Sequence, residues 1–300
     1  MIDYKFKILP NNKPLTLENE TCVYCAKVFA DKDWTKEHVV GRRFVPKGKF
    51  DKEWNLIVCA CHKCNNIKAA LEDDISAITM QPDAAGKHSI DDELLRSESE
   101  RNGKNCFSRK TGKPVNKSVE NLKINVPFSH NAKFTFHVIA PPQIESNRTY
   151  ELARLQLMGF FYMITYNPET RRGGFWPGYF IPVLEAIRDD WGNPVHMGFM
   201  RAVKEWELRL LFVGADGFFK MIIRRHPSEE CWSWALEWNH NLRIVGFFCQ
   251  EDAALKVKES FSPLNTVPIG KDNEGEFGIR RNIGLRKEDD RLFEWVEVNA

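Results

Sequence analysis

Two pairs of cysteines set the first chemical constraint. Cys22-Val-Tyr-Cys25 and Cys61-His-Lys-Cys64 are Cys-x2-Cys pairs with 35 residues between them. Each spacing bends the chain into a knuckle with two thiolates on one side of a tight turn. Two knuckles supply the tetrahedral sulfur set of a structural zinc (Zn²⁺). Five of the eight cysteines lie between positions 22 and 64. The N-terminus, Met-Ile-Asp-Tyr-Lys-Phe-Lys, lacks the apolar region of an export signal. Clustered thiols in such a chain point to metal before disulfides and to a cytoplasmic location. Cys59 offers a rival thiolate two residues before Cys61, and the sequence leaves open which is the ligand. The Cys-x2-Cys geometry favours Cys61, so Cys59 is read as a small buried side chain. Zinc binding on the order of 10 kcal/mol would supply the stability that the thin apolar inventory of the first seventy residues lacks.

Further reactive side chains lie between and after the knuckles. They are Glu37-His38, followed by Val-Val-Gly41-Arg42-Arg43; then Trp54-Asn55-Leu; then Asn65-Asn-Ile-Lys68. In this order they resemble the zinc-knuckle branch of the HNH endonucleases, whose fold is ββα-metal. The match covers about residues 20–80, roughly a fifth of the chain. That family has an acid–His pair on its first strand, an Asn-Leu segment leading into the second cysteine pair, and His or Asn then Lys after the last cysteine. Four departures stand out. Glu37 replaces the more usual Asp, Asn65 a His, and Gly41 a proline, and the step from Asn55 to Cys61 is a residue longer.

The resemblance implies metal-dependent hydrolysis of phosphodiester bonds in DNA, and the residue types agree with it. His38 has an ordinary pKa near neutrality and is the natural general base, worth about 10²- to 10⁴-fold. Asn55 would orient the imidazole by a hydrogen bond. Glu37 and Asn65 offer hard oxygens that suit Mg²⁺ or Mn²⁺. Strand neighbours point to opposite faces, so Glu37 and His38 can serve one centre only where the strand twists or ends. Arg42, Arg43 and Lys68 flank the site and are expected to grip phosphates. A non-catalytic zinc-knuckle module that binds nucleic acid or protein is the rival reading. RNA stays open as the substrate, because such a site grips backbone more than bases.

The surrounding elements are expected to form an α+β protein of two parts. Three hundred residues, 43% hydrophobic and 28% charged, exceed one comfortable core. The longest apolar stretch, Leu155–Ile164, is far short of the roughly 20 residues that span a bilayer. Residues 1–82 are read as a small zinc-stabilised ββα-metal module and 83–126 as a polar, basic, partly ordered linker. Residues 127–300 are read as a larger α+β domain with an antiparallel meander. Net charge is +5 over residues 1–70, −1 over 71–125 and −2 over 126–300, which sets the basic surplus beside the cysteines.

Ile67, Ala70, Leu71, Ile75 and Ile78 recur at helical spacing, with Glu72, Asp73 and Asp74 on a solvated face. A short helix is predicted at 91–100, and further helices at 150–166, 179–188 and 251–261. Strands are predicted around 134–138 and at 206–213, 218–225, 231–238 and 242–249. Trp232, Trp234 and Trp238 share a strand face and suit a core or interface better than base stacking. Seven tryptophans beyond residue 127, Trp295 included, exceed what a core of that size needs. They predict a domain that meets a protein partner or a second copy, or senses a ligand, and so restrains the nuclease. Defence or mobile-element systems are the setting the resemblance implies.

Overall fold

The computed structural model describes residues 7–9, 13–30, 33–51, 53–83, 85–129, 132–272 and 275–294. In chain order, β1 (Lys7–Leu9), β2 (Leu15–Thr16), β3 (Thr35–His38) and β4 (Leu56–Ala60) lead into α1 (His62–Thr79) and α2 (Glu93–Asn105). A hairpin of β5 (Glu120–Ser129) and β6 (Ala132–Ala140) precedes α3 (Ser146–Ile164). Then come β7 (Tyr179–Ile187), α4 (Pro194–Val203), β8 (Glu207–Gly214), β9 (Phe219–Arg225), β10 (Trp232–Trp238) and β11 (Leu242–Cys249). The chain continues through α5 (Glu251–Lys258), β12 (Val267–Asp272) and β13 (Gly275–Ile279).

The expected meander forms a six-stranded sheet in the order β1-β8-β9-β10-β11-β7. All its pairings are antiparallel except β1 with β8. Its turns have the chemistry the sequence advertises. Ala215, Asp216 and Gly217 close the first hairpin at φ of 53°, 54° and 83°, and Asn239 and His240 close another at 51° and 53°. These left-handed pairs match the twist of the flanking strands.

Two elements differ from expectation. Residues 179–188, read as a helix, form the edge strand β7. Pro182 sits opposite Gly246, at the register shift in the β11–β7 pairing, where a missing N–H costs little. Helix α4 was not anticipated, although its signal is plain: Pro194 opens the helix and Asn193 accepts a hydrogen bond from the His196 N–H at 2.9 Å.

Every residue of α3 from Leu155 to Ile164 is buried, so the helix has no polar face to offer water. One side lies on the sheet, where the Phe160 ring stands 5.6 Å from Phe212 and 6.2 Å from Phe219. The other side takes the N-terminal elements. Trp54 stacks on Phe160 at 6.3 Å, and the Tyr162 hydroxyl meets Thr21 Oγ1 at 2.9 Å. A Cβ on Gly159 would stand 2.6 Å from Val39 Cγ1, which explains the glycine in an otherwise bulky helix. Helices α4 and α5 cover the opposite sheet face through Phe199, Met200, Val203 and Ala254, packed with Ile222, Val245 and Phe247.

The expected division at residues 82 and 127 is therefore no break in the core. One apolar cluster runs from Leu17 through Leu95, in the expected linker, to Phe248. Trp176, Trp232, Trp234 and Trp238 belong to that core rather than to a surface, Trp206 to the cluster on the opposite sheet face, and Trp191 is buried as well. Trp232, Trp234 and Trp238 are buried, with Phe180 stacked on Trp234 at 4.9 Å and Trp176 on Phe248 at 4.1 Å. Trp295 lies outside the described residues. With one cluster shared by both expected parts, Phe160→Ala is expected to cost about 3–5 kcal/mol. Near-UV circular dichroism and metal release should then shift together in a single thermal transition. Two separate transitions would show that the parts fold independently.

Candidate active site and cysteine centre

The cysteine centre is assembled by a turn and a helix start. Ala26 N–H bonds to the Cys22 carbonyl at 2.9 Å and Cys22 N–H to the Lys27 carbonyl at 2.8 Å, with Ala26 left-handed at φ 58°. Cys61 caps the N-terminus of α1 and Cys64 lies in its first turn. The four sulfurs of Cys22, Cys25, Cys61 and Cys64 lie within 4.8 Å of one another. Sulfurs about 2.3 Å from one zinc stand about 3.8 Å apart in a tetrahedron. Cys25 and Cys61 are 3.8 Å apart, so the cluster can hold a zinc ion. The choice between Cys59 and Cys61 is made by β4. Cys59 Sγ faces the Leu17 carbonyl at 4.0 Å, outside the cluster. Its peptide is clamped by buried Asn19, which accepts from Cys59 N–H at 2.8 Å and donates to the Cys59 and Thr21 carbonyls at 2.8 and 2.7 Å. Asn19 thus ties the first knuckle to the strand that feeds the second, and it escaped the sequence reading.

The second constellation centres on a buried cation. Strand β3 ends at His38, and Glu37 turns toward α1. Lys68 Nζ lies 2.7 Å from Glu37 Oε1 and 2.7 Å from Glu72 Oε1, and it donates to the His38 carbonyl at 3.1 Å. The Lys68 side chain is 0% exposed. It was expected to grip phosphate at the surface; instead it neutralises two carboxylates. Burial alone would lower the ammonium pKa, but Glu72 and Glu37 carry it above its ordinary value. Burial pushes the Glu37 carboxyl up, against the pull of Lys68. Tyr24 also donates to Glu37 Oε1, at 3.4 Å, and burial with that carboxylate drives its phenol well up.

Glu72 belongs to the site although its acidic triplet reads as a solvated face. The usable signal was its place four residues after Lys68, one helical turn along the same face. Its carboxylate accepts from the Gly41 N–H at 3.0 Å. Any Cβ at Gly41 would collide with that carboxylate, and proline has no N–H to give, which accounts for the glycine there. Asp74 has another task. Fully buried, it receives both guanidinium arms of Arg148 at 2.7 Å and so docks α3 onto α1. Only Asp73 of the triplet is exposed.

His38 is half-buried, and its Nε2 is buried with no hydrogen-bond partner among the described residues. Burial, with the charges of Arg42 and Lys68 beside it, holds the imidazole below its ordinary pKa. Asn55 does not hold the ring as expected. Its Nδ2 donates to the Val40 carbonyl at 3.0 Å, which pins the chain just past His38, and its buried Oδ1 has no partner among the described residues. Asn65 is half-buried in the first turn of α1, one turn before Lys68, while Arg42, Arg43 and His62 are exposed.

Two carboxylates converge on the one ammonium, and Asn65 lies on the same helical face as Lys68 and Glu72; among the described residues the only cluster of His, Cys, Asp or Glu placed to hold a metal is the four cysteines. A divalent ion at Glu37 would have to share that carboxylate with Lys68. No protein-family model matches the chain, nor does any curated protein or solved structure.

Two outcomes follow from this geometry. Elemental analysis should find one zinc per chain, retained in Cys59→Ser and lost in Cys61→Ser; the reverse pattern would overturn the ligand set. Lys68→Met leaves Glu37 and Glu72 facing each other without their cation. It should destabilise the fold by about 3–5 kcal/mol in urea denaturation, and a loss below about 1 kcal/mol would mark the pair as an ordinary surface one.

Proposed function

We propose that the chain is a metal-dependent endonuclease of the HNH type, hydrolysing phosphodiester bonds in DNA. The observation that carries this reading is the His38 imidazole, at the end of a strand and beside a cluster of charges. Its Nε2 has no partner among the described residues and its pKa is held down. A neutral imidazole at neutral pH can take the proton of an attacking water at Nε2, once the movement that admits substrate uncovers that buried atom. Exposed Arg42 and Arg43, next along the chain, are placed to hold the phosphate that the water attacks. Asn55 acts at one remove, fixing the backbone at Val40 so that the strand end, and His38 with it, keeps its position. Lys68 and Glu72 hold Glu37 in place. Glu37 and Asn65 would hold Mg²⁺ or Mn²⁺, which supplies positive charge for the leaving oxygen. The four cysteines would hold the structural zinc, tying the Cys22–Cys25 turn to the start of α1.

A binding module that keeps only the zinc is the second reading, and the engagement of Glu37 by Lys68 favours it. Plasmid cleavage by the full chain in Mg²⁺ or Mn²⁺ separates the two. His38→Ala should cut at least about 10²-fold more slowly, with its zinc content unchanged. Because the folded pKa lies below 6.5, the rate should hold at neutral pH and fall with acid only below that value. Wild type and variant leaving plasmid equally intact under both metals would support the binding module. Faster cutting of RNA than of DNA would reassign the substrate.

A further inference from the structure

A cavity of about 750 Å³ lies where the C-terminal end of α1, the first turn of α3, β7 and the start of β11 meet. Ile78, Ile144 and Leu242 give it apolar walls. Two side chains that line it carry buried polar atoms without a partner among the described residues. Thr149 is 1% exposed and its Oγ1 has none. Glu185 Oε1 accepts from Ser146 at 2.6 Å, while its buried Oε2 has none. His88 Nε2, on the rim, is a third such atom. Buried polar groups are almost always paired in folded proteins, so three around one cavity mark a place that expects a ligand.

The chemistry of that ligand can be read from the walls. A carboxylate oxygen only accepts, so Glu185 calls for a hydrogen-bond donor, which an amino group supplies. The other acids at the cavity are largely engaged. Asp83 accepts from the Ala85 and Lys87 N–H groups, Asp190 pairs with Arg280, and Asp189 points out to solvent. A second hollow, of about 810 Å³, adjoins the cavity, sharing Lys87, His88 and Arg188 with it. Arg96 in that hollow pairs with Asp91 and Arg188 also donates to the Ser89 carbonyl, so the exposed Lys87 and Arg188 are its cations with no acid partner among the described residues. The whole is apolar within, accepting at its base and positive at its mouth.

We propose that this cavity binds a nucleotide whose base carries an exocyclic amino group. The base lies between Ile78, Ile144 and Leu242, with its amino group on Glu185 Oε2 and a ring nitrogen on the Thr149 hydroxyl. The phosphate reaches Lys87 and Arg188. The inference does not rest on the nuclease reading, although the ligand would seat against the far end of the helix that carries Asn65, Lys68 and Glu72.

Calorimetric titration of the full chain with AMP, CMP, GMP, IMP, adenosine and inorganic phosphate tests it. IMP carries a carbonyl in place of the amino group and a proton on N1, so it offers Glu185 an oxygen instead of a donor and AMP should bind at least about tenfold more tightly. Adenosine and phosphate should each be weaker than AMP. Thr149→Val removes a hydroxyl that has no partner, so it should keep or raise the melting temperature while weakening AMP about tenfold. Arg188→Glu should weaken AMP and leave adenosine unchanged. No binding by AMP, CMP or GMP would overturn the proposal. So would equal affinity for AMP and IMP, binding by phosphate as tight as by AMP, or unchanged affinity in Thr149→Val.

Discussion

A helix with no polar face has to be covered on every side, and the C-terminal half of α3 is such a helix. From Leu155 to Ile164 it offers water nothing to hydrogen-bond. The sheet covers one flank through Phe212, Phe219, Trp232 and Phe248. Left alone, the other flank would expose Phe160 and Tyr162, and the N-terminal elements close it with Trp54, Val39 and Thr21. The cysteine-rich segment has too few apolar residues for a core of its own, yet it contributes to a large one. A zinc at its knuckles would then fix local shape rather than supply all of the stability.

The same need recurs at smaller scale around Lys68. A fully buried ammonium is tolerated only when carboxylates surround it, and Glu37 and Glu72 do so from a strand and a helix. This pairing sets the distance between β3 and α1 and orients the turn after His38. Gly41 is part of the arrangement, since its N–H holds Glu72 and its lack of a side chain lets the carboxylate approach. His38 stays outside this network except through its carbonyl, and its ring holds a buried Nε2 with no partner among the described residues.

Much of the fold was legible because local patterns and tertiary demands agreed. The strands of the meander carry alternating apolar residues and end in Gly-Ala-Asp-Gly or Asn-His-Asn turns, so their bounds shift by a residue at most. β7 was misread because its apolar run has no clear period and a proline at its centre, which a sheet edge accepts at a bulge. The tryptophans misled for a different reason. Counting them against a domain of 170-odd residues made them a surplus, whereas the shared core spreads them over a larger volume. Within the site, the types and spacing of Cys22, Cys25, Cys61 and Cys64 were enough to foresee their convergence, since a Cys-x2-Cys turn has few shapes.

By itself, the sequence determined the two knuckles, the run from Glu37-His38 through α1, the hairpins and the apolar character of α3. These depend on contacts between near neighbours and on the 3.6- and 2-residue periods of helix and strand. Only the tertiary structure decided which charges are buried together. Lys68 looks like a surface cation, Asp74 like a solvated acid and Asn55 like the holder of an imidazole. Their partners Glu37, Arg148 and Val40 come from other elements. The free energy of a charged or amide side chain is set by what surrounds it, and that depends on how helix, strand and sheet come to lie against one another.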